Sequence, residues 1–142
     1  MPAESLFSAA NMLAVAGWLA LLVAPRARLA NRTLAGTAIP VLLAALYVAL
    51  LALRLPGAQG GFGSLAGVAA LFADDWLLLA GWVHYLAFDL FIGAWICRRA
   101  AADGMSPWLA RLCLPPTFLV GPAGLLLFLG LRRFTAQQEA RA

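Results

Sequence analysis

Charge is scarce in this chain. Only 11% of its 142 residues are charged and 64% are hydrophobic, where soluble domains average about 25% and about 45–50%. That shortage excludes an ordinary soluble domain and predicts a small integral membrane protein, one domain over residues 1–142. Lysine is absent, so all ten cations are arginines. They gather at the ends of apolar segments, as topology signals do, so the basic pI does not imply a nucleic-acid partner. Histidine occurs once and cysteine twice, at Cys97 and Cys113. That set is too small for zinc and its spacing matches no metal or redox motif, so neither a metal nor a cofactor is expected. The residues ahead of the first apolar run hold Glu4 but no cation, which predicts no cleavable signal peptide.

What the chain has in abundance is long apolar runs. Four read as membrane spans, over 6–24, 33–53, 76–96 and 109–131. The fold class predicted is all-α: a polytopic bundle of four transmembrane helices. Between the second and third spans, a turn-rich stretch from Pro56 to Gly63 precedes a ten-residue apolar segment, 64–73. Ten residues are too few to cross, which fits an interfacial or re-entrant helix. Asp74 and Asp75 then stand where a helix N-terminus needs acceptors. The loops after the first and third spans carry Arg26, Arg28, Arg32, Arg98, Arg99 and Arg111, against Arg54, Arg132, Arg133 and Arg141 on the other side. Six against four predicts those two loops inside and both termini outside.

Two ionisable residues lie near the middle of the third span. Twenty-one residues at about 1.5 Å each reach roughly 31 Å, and the midpoint, Leu86, falls between His84 and Asp89. A charged group at that depth costs roughly 2.5–3.5 kcal/mol, so its presence is a functional signal. Helical spacing puts Trp82, Tyr85 and Asp89 on one stripe and His84, Phe88, Phe91 and Trp95 on its neighbour. His84 and Asp89 are about 140° apart around the helix and are not expected to bond each other. The functional reading is an acid–base site at Asp89, His84 and Tyr85, walled by Trp82, Phe88, Phe91 and Trp95. The bland alternative is a packing device in which the polar groups bond across helices. In the fourth span Pro115, Pro116 and Pro122, the last beside Gly121, remove amide donors, predicting a kink or break beside Asp89, with Thr117 able to re-satisfy a freed carbonyl. Gly121 and Pro122 would let a flat ligand approach the backbone, and Asn11 in the first span is a candidate partner across the bundle.

The run Gly81-Trp82-Val83-His84-Tyr85-Leu86-Ala87-Phe88-Asp89-Leu90-Phe91-Ile92-Gly93 resembles the signature of the plant neoxanthin synthase-like (abscisic-acid-deficient) family of small membrane proteins. Ser64-Leu65-Ala66-Gly67-Val68, Leu71-Phe72 and Gly121-Pro122-Ala123-Gly124-Leu125-Leu126-Leu127 are similar to further family segments. Plant members are needed to turn violaxanthin into neoxanthin, an isomerisation that opens an epoxide and leaves an allene. It needs one proton given to oxygen and one taken from carbon, without net redox. The resemblance implies a carotenoid or related apolar lipid as ligand, with Asp89 as base and His84 or Tyr85 as donor. The chain departs from plant members in having no plastid transit peptide and short Arg-rich loops. This implies a bacterial relative, multi-pass in the inner membrane, to which the plant substrate is not carried over. A non-catalytic carotenoid-binding accessory subunit and a small proton-coupled carrier are the alternatives. Membrane lipids are the other expected partners, and a homo-oligomer fits the same reading.

Overall fold

A computed structural model describes residues 2–139, the side chains of 136–139 excepted. The described chain is all helical: α1 (Ala3–Val23), α2 (Leu29–Arg54), α3 (Leu65–Phe72), α4 (Asp75–Ala102), α5 (Pro107–Val120) and α6 (Pro122–Glu139). Three of these, α1, α2 and α4, are long and apolar enough to cross a membrane. The chain is therefore a membrane protein.

α4 is the axis of the bundle. Every other helix packs on it, and its buried residues point in all directions around it. Small side chains make this possible. Trp18 of α1 lies where a Cβ on Gly93 would be, and Leu90 of α4 fills the space over Gly17. Such reciprocal close approach is what drives helix association where the hydrophobic effect between helices is lost. Asp74 caps the start of α4, its Oδ1 accepting from the amides of Trp76 at 2.9 Å and Leu77 at 3.0 Å, as expected. Ser64 caps the short α3 in the same way, and Phe72 at its end rests against Gly81.

Two boundaries differ from expectation. The second span starts earlier, because Leu29–Ala38 winds as a π-helix that runs into the α-helical Ile39–Arg54. Pro40 therefore does not interrupt it: the five-residue bonding upstream, with Ile39 N–H donating to Leu34 C=O, absorbs the missing donor. The third helix continues past Arg98 and Arg99 to Ala102. The arginines mark a change in polarity, whereas Gly104, at φ 69°, marks where the chain leaves the helix.

The larger correction concerns the fourth span. Residues 109–131 are not one crossing helix. Pro115 and Pro116 are accommodated inside α5, but the chain breaks at Gly121 (φ 22°, ψ −79°) and α6 doubles back along α5. Gly124 sits directly on Thr117, where any Cβ would collide with the backbone. Farther along, Phe128 is fully buried against Ala110 and Cys113. α5 and α6 form an antiparallel hairpin, and α5 at about 1.5 Å per residue is only about 21 Å long.

The fold-back re-sorts the arginines. Arg132 pairs with Asp103 at 2.5 Å, and so does Arg99 at 3.0 Å. Arg26 donates to the Met105 carbonyl, Arg98 to that of Asn31, and Arg111 to those of Leu22 and Val23. With Arg28, Arg32 and Arg133 beside them in the chain, eight arginines gather at one end. Arg54 lies at the other, stacked 4.3 Å from the Trp76 ring. The expected six-to-four division is thus overturned by the hairpin; Arg141 lies outside the described residues.

The hydrogen bond from Arg132 holds the Asp103 carboxyl below the usual carboxylate range, and Arg99 adds to it. A folded-state value below the unfolded one contributes stability at neutral pH that is lost as pH falls through the folded value. Asp103→Asn should therefore lower the thermal unfolding temperature in detergent by a constant amount from pH 7 down to about 5. The gap to wild type should close only under stronger acid. A gap independent of pH would show that Asp103 does not clamp the hairpin through its charge.

Candidate functional site

The break at Gly121 leaves the last carbonyls of α5 without partners in their own helix. Tyr85 of α4 supplies one: its hydroxyl donates to Leu119 C=O at 2.9 Å, with Phe118 C=O at 3.4 Å. Thr117 donates one turn back to Cys113 C=O at 2.7 Å, and not to the Arg111 or Leu112 carbonyls that Pro115 and Pro116 leave without an amide donor. The Tyr85 hydroxyl has one proton to give, and in this arrangement the orphan carbonyl takes it.

Asp89 lies one helical turn beyond Tyr85 on the same face, only 9% exposed. The tip of the hairpin rests on it, so that a Cβ at Gly121 would meet its Oδ1. The other oxygen, Oδ2, is buried and has no hydrogen-bond partner, the one such side-chain atom among the described residues. A buried polar atom without a partner is costly and marks a site where something else is meant to bond. Pro122, with no N–H of its own, opens α6 beside that carboxyl.

Toward the N-terminal end of α4 the wall is aromatic and polar. The Trp82 ring stacks 5.5 Å from Tyr85 and 5.7 Å from Phe7. Its indole N–H donates to Asn11 Oδ1 at 3.1 Å, and Asn11 Nδ2 donates back to Phe7 C=O at 2.8 Å. Asn11 is therefore the cross-bundle partner the sequence pointed to, bonded to Trp82. Above Trp82 a groove of about 620 Å³ opens between α1 and α4, lined by Phe7, Leu78, Leu79, Glu4 and Asp75 among others.

The rest of the expected constellation lies elsewhere. His84 is exposed, 5.2 Å from the Tyr47 ring and 4.7 Å from Phe88. It faces out beside α2, separated from Asp89 by the girth of α4, so the two do not share a cavity. Phe88 and Phe91 are 57% and 42% exposed on that outer face. Trp95 packs edge-on against Phe128, beneath the hairpin. The structure thus keeps Asp89, Tyr85, Trp82, Asn11, Gly121 and Pro122 together and sets His84, Phe88, Phe91 and Trp95 apart. Sequence reasoning missed the Phe118 and Leu119 carbonyls. The signal was Gly121-Pro122, which is a helix stop followed by a favoured first residue of a new helix. Among the described residues no group of three or more His, Cys, Asp or Glu side chains could hold a metal ion.

Tyr85→Phe removes the cap on Leu119 C=O and should destabilise the protein by about 0.6 kcal/mol, the average for hydrogen bonds between membrane helices, and by no more than about 1.7 kcal/mol. Unfolding in mixed detergent micelles would measure it. No loss of stability would mean that water, and not Tyr85, satisfies that carbonyl.

The model of the ABA DEFICIENT 4-like family matches residues 5–128, which include the whole of this site. No curated protein and no solved structure matches the chain.

Proposed function

The chain belongs to the ABA DEFICIENT 4-like family, and from that membership and the setting of Asp89 we propose that it isomerises a carotenoid or a related isoprenoid by acid–base chemistry inside the membrane. The observation that carries this reading is the buried Asp89 oxygen without a partner, held at the tip of a broken helical hairpin beside an aromatic wall. A carboxylate in that position can take a proton from carbon. Tyr85, one turn away, is the group positioned to give one to oxygen, and its hydroxyl would turn from Leu119 C=O to do so. Trp82, Asn11 and the helix ends at Gly121 and Pro122 would hold a flat, apolar polyene against the carboxyl.

The topology that serves this chemistry is multi-pass in a bacterial inner membrane: α1, α2 and α4 cross, and α5–α6 enters from the arginine-rich, cytoplasmic side and returns to it. α3 lies at the opposite interface. About 21 Å of α5 covers some two-thirds of a 30 Å hydrocarbon core, which puts the hairpin tip and Asp89 well inside it.

A second reading, a non-catalytic pigment-binding subunit, is favoured by one fact: the Tyr85 proton is already engaged as a helix cap. Asp89→Asn keeps the shape of the side chain and removes the base, so it separates the two. In a carotenoid-making host, wild type should change the pigment profile and Asp89→Asn should not, while both purify with pigment. A wild-type protein that binds pigment and leaves the profile unchanged would support the binder. A colourless protein that conducts protons would sink both readings.

The topology has its own test. A reporter fused after α6 should report the same side of the membrane as one placed at 25–28 between α1 and α2. Opposite sides would restore a fourth crossing helix.

A further inference from the structure

The arginine end carries far more positive charge than its neighbours answer. Asp103 is the one carboxylate among the described side chains there, and Arg99 and Arg132 both take it. Arg26 and Arg111 are committed to backbone carbonyls. Arg98 likewise donates to a backbone carbonyl, and neither it nor Arg32 has a carboxylate bonded to it among the described residues. Arg98 is held in place: it donates to Asn31 C=O at 2.6 Å, lies against Gly36, and its guanidinium is 5.8 Å from the Phe91 ring. Arg32 is exposed and follows Asn31 in the chain, the residue whose carbonyl Arg98 holds. Cations gathered at this end without carboxylate partners favour an anion there.

An apolar groove of about 390 Å³ on the outer face of α2 and α4 runs up to these two arginines. Its walls include Val41, Ala44, Phe88, Phe91, Thr37 and Gly36. Phe91 and Gly36 belong both to the groove and to the surroundings of Arg98, so the apolar channel and the cationic end are continuous. The π-helical Leu29–Ala38 makes the junction: Asn31 and Gly36 are buried against Arg98 of α4, and Arg32 between them in the chain is exposed. We propose that this groove is a binding site for an anionic phospholipid, its acyl chain along Phe88 and Phe91 and its phosphate between Arg32 and Arg98. The charge selects the headgroup and the groove selects a chain-bearing ligand over a free anion. The site is separate from Asp89, which lies on the opposite side of α4.

The test is native mass spectrometry of the full chain in neutral detergent, titrated with phosphatidylglycerol or with phosphatidylcholine of the same chains. One phosphatidylglycerol should be retained about tenfold more tightly than phosphatidylcholine. Arg32→Gln, an exposed change that leaves the packing of Arg98 intact, should remove most of that preference. Arg28→Gln and Arg133→Gln, with the same loss of charge, should keep it. Ala44→Trp fills the groove and should weaken retention of both lipids. Equal retention of the two lipids by wild type would overturn the proposal, as would an unchanged preference in Arg32→Gln. Displacement of the lipid by millimolar inorganic phosphate would overturn it too, because the site would then read the anion alone.

Discussion

The arrangement around Asp89 depends on a single constraint: the carbonyls at the end of α5 cannot be left bare in an apolar setting. Once the chain breaks at Gly121, α6 cannot accept them into its own ladder, because it opens on a proline and runs the other way. A donor must come from outside. Tyr85 is that donor, and its commitment to Leu119 C=O fixes the hairpin tip against α4. With the tip in place, Gly121 covers Asp89, and the carboxyl is closed off with one oxygen unanswered. The buried acid is therefore a consequence of how a broken helix is repaired, as well as a candidate for chemistry.

Much of this was legible in the residues. Composition and the long apolar runs specified a membrane helical protein. The helical spacing of Trp82, Tyr85 and Asp89 placed them on one face, where the structure has them. Separation of His84 from Asp89 was legible too, as an angle, but the angle alone did not say what lay between. That took the packing of α2, which draws Tyr47 against His84 and leaves it on the outer surface. The helix ends were harder. Arg98 and Arg99 look like a stop because hydropathy reports where polarity changes, whereas a helix ends where the backbone leaves αR, here at Gly104.

The hairpin was the least legible element, and the reason is physical. A run of 23 apolar residues has the same hydropathy whether it crosses once or folds on itself. What distinguishes the cases is backbone geometry at one residue and the fit of Gly124 onto Thr117, neither of which hydropathy weighs. Charge does weigh it, though indirectly. With a crossing helix, Arg132 and Arg133 join Arg54 and the bias between ends is weak. With the hairpin they join the other six, and Asp103 gains a second arginine. Such one-sidedness is what insertion of a membrane protein selects.

That concentration of charge also bears on Asp89. Eight cations at one end, facing a single described carboxylate, make that end unfavourable for an approaching cation and favourable for an anion. The groove above Trp82 opens at the opposite end, between α1 and α4, with Glu4 and Asp75 on its rim. A cation approaching the protein is drawn to that acidic end and repelled by the arginines. The two ends of α4 thus carry opposite charge, and it is the arginine end that anchors the hairpin burying the acid.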